Sequence, residues 1–429
     1  MKPENFEEKV VWWSILGTYG FYVIGGLYIL APVIAWVLLG VLIKRLILQT
    51  DETLPEDRIT ISDSHWVWVA SMVVMELALI VGHYDYDIGM GSLIKSSIGW
   101  AKGWALLAVF PLLGCLKIRI SLLARAACHV GMQTLLVFPF FVAAYLGHLP
   151  DTPYVSPLQA VGGPGPEFFA VNLYEIDPSN GMVRWRLFTP WAPALGFVAN
   201  IYFFLALEEP DKRWRWTGIT ACVLMCLVSS SRLALLALPA VWLLKTLLSN
   251  LSRPAVLISL GFIATVAGIF STAIFEAIEN FSAAFSGARA DSSRVRAALG
   301  RIAQYRWQTE APIWGHGIVE RGPHMVEYMP IGSHHTWYGL LFVKGLVGFV
   351  ALAVPLLWTF GLLLFRAQKS RIAALGLAMV MIILFYTFGE NLEILAYLFW
   401  PGLITLGLAF NQAEIPDAKQ TENPTPISG

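Results

Sequence analysis

The sequence predicts an all-α polytopic membrane protein with about twelve transmembrane helices and a large outward loop containing an amphipathic helix. Composition is the first reason: 57% of the 429 residues are hydrophobic and only 14% are charged. The mean hydropathy of +0.63 is far above what a soluble domain of this length can bury. The apolar residues also gather into successive runs, each close to the roughly 20 residues that cross a hydrocarbon core.

The run from Val10 to Ile43 is too long for one upright helix, and Gly25, Gly26 and Pro32 punctuate it, so two short spans are expected there. Further spans are expected near residues 64–82, 98–116, 121–147, 189–207, 214–230, 232–248, 254–276, 337–365, 372–389 and 392–410. Residues 1–189 hold the N-terminal helices and a first outward loop, and 190–410 a second membrane unit. The polar tail 411–429 carries three prolines and is expected to be disordered.

Lys and Arg total 29, as do Asp and Glu, so net charge gives no argument for a nucleic-acid partner. Distribution says more. Lys44 and Arg45, Lys117 and Arg119, Lys212 with Arg213 and Arg215, Lys245 and Arg253, and Arg366 with Lys369 and Arg371 fall in alternate short loops. The positive-inside rule makes those loops cytoplasmic, and turns residues 83–97, 148–188, 277–336 and the turn at 390 outward. Both termini then lie in the cytoplasm. The acidic start MKPENFEEK is unlike the basic leader of a signal peptide, so the first apolar segment is expected to stay. Cys115, Cys128, Cys222 and Cys226 lie in or beside spans and offer neither a disulfide framework nor a ligand motif.

Two outward loops are long enough to hold structure. Residues 148–188 include Gly162, Gly163, Pro164, Gly165 and Pro166 and read as irregular. From Ser292 to Thr309, Val295, Leu299, Ile302 and Tyr305 recur at helical spacing among Arg294, Arg296, Arg301 and Arg306, as in an amphipathic helix at the outer membrane surface. With Arg289 these are five arginines against one carboxylate, Asp291, a patch suited to phosphate. No Walker loop, dinucleotide fingerprint or HExxH motif is present.

The most polar stretch beside a span is residues 312–348, which gathers His316, His324, His334 and His335 with Arg321 and several glycines. Polar clusters in greasy surroundings point to function. Ser333, His334 and His335 open the span near Thr336, where the helix dipole attracts phosphate and keeps an imidazole neutral, hence usable as a general base. Arg232 opens another span at its outward end, where it either snorkels or meets an anion. Glu76 lies inside a span, and His83, Asp85 and Asp87 just beyond it in what reads as a solvated loop.

The segments APIWGHG and SHHTWYGLLFVKGLVG resemble the O-antigen ligase and Wzy-type polymerase superfamily. The family pattern is a Pro, a G-x-G, a His-Asn pair, nine residues and a G-x-x-G within the next span; Pro312, Gly315, Gly317, His334, Gly345 and Gly348 match it. The SSSRLALLALPAV run with Arg232 resembles the Ser-Arg element that opens a family span. The chain departs from the pattern at His335, where Asn, Ser or Gln is usual, and at Val343 and Lys344, where an acidic residue is common.

The resemblance implies a metal-independent, inverting glycosyl transfer at the periplasmic face of a bacterial inner membrane, with no cofactor. The donor would be an undecaprenyl-pyrophosphate-linked glycan and the acceptor lipid A core or a glycan. It assigns His334 as the base and Arg232 and Arg294 as stabilisers of the leaving pyrophosphate, with Arg296 and Arg301 as rivals for that role. His335, His316 and Arg321 are further candidates for substrate contact. Ligase, polymerase with a chain-length regulator, and protein glycosyltransferase are not separated by these residues. A transporter of lipid-linked glycan or small solute is a reading from another class, and a metal cage of the four histidines a third.

Overall fold

The computed structural model describes residues 1–55, 57–177, 181–287 and 290–411, with side chains for all of these except 278 and 281–293. The tail beyond Asn411, Arg289 and the Asp291 side chain therefore lie outside the described residues. The chain is mostly helical, and its strands, among the described residues, form only two short hairpins.

The N-terminal run divides into α1 (Phe6–Leu16), α2 (Thr18–Val23) and α3 (Leu27–Leu48). Asn5 caps α1 by accepting the Glu8 N–H at 2.7 Å. The chain turns at Gly25, whose φ of +71° and whose approach to Ser156 exclude a side chain. Pro32 stays inside α3 and does not end it.

After α4 (Asp63–Asp85), the expected span at 98–116 is divided into α5 (Met90–Lys102) and α6 (Leu106–Leu113). The division falls at Gly103, where a Cβ would lie 2.7 Å from the Glu393 side chain. Then come α7 (Ile120–Leu146) and the loop at 148–188, which is less irregular than its glycines and prolines suggest. There β1 (Tyr154–Val155) pairs antiparallel with β2 (Ala170–Val171), and β3 (Glu175–Ile176) with β4 (Val183–Arg184). Phe168 and Phe169 from this loop pack on Tyr28 of α3.

The second half holds α8 (Ala192–Leu207), α9 (Lys212–Val228), α10 (Arg232–Leu248), α11 (Pro254–Ile269), α12 (Ser271–Gly287) and α13 (Ala290–Glu310). It ends with α14 (Thr336–Arg366), α15 (Arg371–Tyr386) and α16 (Leu392–Asn411). The expected span at 254–276 bends by 83° between α11 and α12. Among the described residues, six helical segments are long and apolar enough to cross a membrane, or seven if the bent pair is one span, while α8 and α15 are apolar but shorter. These apolar helices are those of a multi-pass membrane protein.

Helices α8, α15 and α16 are buried nearly all round and form the centre. Around them, α4 lies antiparallel to α14: Trp68 Nε1 donates to Thr359 Oγ1 at 2.9 Å near one end, and Gly82 meets the 315–317 loop near the other. Helix α13 crosses α14 where Gly300 receives the Tyr338 ring. Its apolar face partly differs from the sequence reading. Val295 and Leu299 pack with Val326, and Ala303 with Ile331 and Phe342, whereas Tyr305 is 67% exposed. The helix covers the loop that follows it, and that partner selects which residues are buried.

Candidate functional site

The glycine motif builds a junction in the backbone. Helix α14 breaks at Gly345, which has φ +60° and ψ −159°. The break strips carbonyls and N–H groups of their helical partners, and such groups need others when buried. The loop at 312–317 supplies them. His316 and Gly317 N–H donate to the Phe342 and Val343 carbonyls at 2.9 Å each, and Leu346 and Val347 N–H donate to the Pro312 and Ile313 carbonyls at 3.0 and 3.1 Å. Only glycine fits at the contact. A Cβ on Gly315 would sit 2.4 Å from Lys344 N, and one on Gly345 would sit 2.3 Å from the Ile313 carbonyl oxygen.

His316 is locked into this junction. Its ring is 2% exposed, Nδ1 lies 2.9 Å from the Phe342 carbonyl oxygen, and Nε2 lies 2.8 Å from Glu310 Oε2. Glu310 is itself held by Arg306, which also binds Glu320. Both ring nitrogens are thus committed to the fold, which explains a histidine here without a substrate.

Beyond the junction, residues 329–334 run along the N-terminal end of α14 and, with the 164–168 loop and the start of α16, enclose a cavity of about 490 Å³. His334 and Ser333 line it, opposite Glu167, Trp191 and Glu393, with Trp104 and Lys344 also in its wall. The Ser333 Oγ is buried without a hydrogen-bond partner. Burial, and then the nearby Arg296 guanidinium, push the His334 imidazole down to about 4, so it is neutral at pH 7.

Arg296 also acts on Glu390, in the turn between α15 and α16. Glu390 is 2% exposed, and its Oε2 accepts from Trp191 Nε1 at 2.9 Å. Burial raises its carboxyl to about 7 against the opposing pull of Arg296 and Trp191. The same turn docks the start of α14: Thr336 Oγ1 donates to the Glu390 carbonyl at 2.6 Å, and Thr336 N–H to the Thr387 carbonyl at 2.9 Å.

His335 caps α14, its Nδ1 accepting the Tyr338 N–H at 3.4 Å, and burial lowers its imidazole to about 4. These bonds qualify the expectation of a helix terminus open to phosphate, because the Thr336 and Tyr338 donors already have acceptors within the protein. The helix dipole at His334 remains.

The other candidates are spread out. Arg232 begins α10, capped by Ser231, whose Oγ accepts the Ala234 N–H at 3.3 Å. Arg294 and Arg296 are exposed on α13. Arg301 and Arg321 line a separate, open depression with Tyr305 and Arg306. His324 is exposed, its ring against Tyr328, so the four histidines do not converge. Among the described residues no group of three His, Cys, Asp or Glu side chains could hold a metal ion. His83 is not in a solvated loop; it is 3% exposed, with Nδ1 2.8 Å from the Leu79 carbonyl oxygen and Nε2 3.1 Å from Ser96 Oγ.

Sequence reasoning missed Glu390, Glu393, Glu167 and Trp191, and noted Lys344 only as a departure from the family pattern. A lysine within the apolar run YGLLFVKGLVGF, and two acids within four residues of each other at the start of the last span, were the signals. No protein-family model matches the chain, and no curated protein does either.

Proposed function

We propose that this chain is a membrane glycosyltransferase of the O-antigen ligase type, transferring a glycan from an undecaprenyl-pyrophosphate carrier to an acceptor hydroxyl at the outer face of a bacterial inner membrane. The observation that carries the reading is His334: a neutral imidazole on the wall of a 490 Å³ cavity, beside a helix N-terminus and within electrostatic range of Arg296. A twelve-crossing topology belongs to it. Taking α1 with α2, α5 with α6 and α11 with α12 as single crossings, and adding α3, α4, α7 to α10 and α14 to α16, gives twelve.

His334 accepts the proton of the acceptor hydroxyl as that oxygen attacks the anomeric carbon with inversion. Cleavage of the sugar–pyrophosphate bond leaves negative charge on the carrier, which fixed guanidinium groups stabilise. Arg296 is the arginine whose charge reaches His334 and Glu390, which strengthens it against Arg232 and Arg294 for this role. An anionic donor beside Arg296 offsets the charge that depresses His334, so donor binding makes the imidazole a stronger base.

The test is His334→Ala in the native host, with surface polysaccharide resolved by gel and protein abundance measured in the same membranes. Expected is loss of long glycan at normal abundance, a rate loss of about 10²- to 10⁴-fold. Accumulated finished chains on the carrier identify a ligase, and single repeat units a polymerase. An unchanged profile removes the transfer reading.

A second reading, transport of a lipid-linked glycan or small solute, draws on the break at Gly345 beside buried Lys344, since broken helices and buried ionisable residues mark transporter sites. It requires carrier-linked glycan to be translocated by protein lacking His334. The transfer reading requires translocation to occur without this protein at all.

A further inference from the structure

Lys344 stands where an uncompensated charge is most costly. It lies in α14, is 1% exposed, and lines the cavity. Among the described residues its ammonium makes no hydrogen bond, and no carboxylate lies within the 4.0 Å of an ion pair. Snorkelling does not account for it, because a snorkelling lysine reaches solvent. Its stem instead lies over Gly348, where a Cβ would come within 2.3 Å of Lys344 Cβ. Glu76 of α4 and Glu393 of α16 are near enough to act on it electrostatically without contact.

The surroundings are those of a polar ligand with carbon faces. The Trp104 indole N–H lies beside the Glu393 carboxylate without a well-formed hydrogen bond, and Ser333 Oγ on the same wall is buried without a partner. Donors and acceptors therefore wait unfilled around one volume. Trp104, Trp191 and Phe168 supply the aromatic faces on which a pyranose ring stacks, and the volume lies within the roughly 300–1,000 Å³ of small-molecule sites.

We propose that Lys344 and Glu393 anchor a specificity-determining sugar subsite in this cavity, taking the hydroxyls of an uncharged pyranose. The ammonium donates to hydroxyl oxygens and the carboxylate accepts from hydroxyl protons, so one sugar edge bridges the two groups that do not reach each other. Charge selects the class. Glu167 and Glu393 both line the cavity against the single ammonium, so a uronic acid would meet net repulsion. The subsite rests on the transfer reading for its role, as the place where a sugar of donor or acceptor sits beside His334. Its existence is tested separately.

The experiment is saturation-transfer NMR on the purified full chain in detergent, with glucose, galactose, N-acetylglucosamine and glucuronate as probes. Wild type is expected to bind at least one neutral sugar and not glucuronate. Lys344→Met, checked by its melting temperature, is expected to weaken that binding at least tenfold. Val319→Trp, at the exposed rim of the cavity, is expected to block it without touching the buried charges. If Lys344→Met does not fold, Val319→Trp decides alone. The proposal is overturned by no neutral sugar binding in wild type, by stronger binding of glucuronate, or by unchanged binding in the variants. His334→Ala keeps the two ideas apart. Sugar binding with an unaltered glycan profile in that variant sinks transfer and leaves the subsite, while lost glycan with no sugar bound to wild type sinks only the subsite.

Discussion

The two ends of the helix bundle treat buried charge in opposite ways. At one end, Glu7, Glu8 and Glu209 are at most 1% exposed, and each is gripped by an arginine. Arg45 holds Glu7 through two bonds of 2.7 Å, Arg119 holds Glu8 at 2.8 and 2.7 Å, and Arg125 holds Glu209 at 2.9 and 2.5 Å. At the other end, among the described residues, the Lys344 ammonium and Ser333 Oγ line a cavity without hydrogen bonds, and the Glu390 carboxyl accepts from the Trp191 indole. A bidentate arginine neutralises the carboxylate and occupies both its oxygens, so the first end is a clasp between α1, α3, α7 and the α8–α9 turn. The second end has unspent hydrogen-bonding capacity, which is what binding requires.

The sharpest way to break this comparison is to disrupt one pair at each end. Arg125→Ala leaves Glu209 buried without its ion pair, a loss expected to cost about 3–5 kcal/mol and to be read as a lower melting temperature in detergent. Lys344→Met with Glu393→Gln removes two buried charges that form no ion pair among the described residues, and exchanging buried ions for neutral groups is neutral or stabilising by roughly 1–4 kcal/mol. A drop in melting temperature for the double variant comparable to that of Arg125→Ala would show that both ends are structural.

Next in size is the glycine junction that shapes the ligand end. Gly345→Ala combines a left-handed residue with a Cβ 2.3 Å from a backbone carbonyl. Strain and overpacking together are expected to cost roughly 3 kcal/mol or more. Gly40→Ala, in α3 with open space around it, is the control and is expected to hold or raise stability. Equal effects at both glycines would deny the junction its role.

Legibility in the sequence divides along the same line. The helices were legible, because apolar runs report burial in lipid or core regardless of tertiary detail. The breaks at Gly103 and Gly345 were not, since hydropathy sums across a kink whose stabilising bonds come from residues far along the chain. His334 was visible through the spacing of residues near it. Glu390 and Trp191 were not, because, 199 residues apart, they meet only when the start of α8 and the turn between α15 and α16 fold together.

Titration separates His334 from Glu390 within the ligand end. Under the proposed transfer, the acid limb of kcat/KM reports the free protein and is expected near pH 4, where His334 charges, whereas the limb of kcat is expected higher because a bound anionic donor would offset Arg296. Coincident limbs near 6.5 would mean that His334 is solvated and not the base.

The smallest expected effect concerns Trp191. Its indole donates to Glu390, and Trp191→Phe removes that bond at a cost of about 1 kcal/mol. The sign with pH is what makes it informative. A carboxyl raised to about 7 in the folded state binds its proton more tightly there than when unfolded. Its stabilisation is full below the unfolded value of about 4.3 and is lost as pH rises through 7. His334, depressed to about 4, acts oppositely: its contribution is present above about 6.5 and is lost as pH falls through 4. Melting temperature measured from pH 5 to 8 is therefore expected to flatten in Glu390→Gln. In Trp191→Phe its decline should move to higher pH, because the lost bond favoured the carboxylate. A decline that moves to lower pH would place Glu390 among the paired charges of the opposite end.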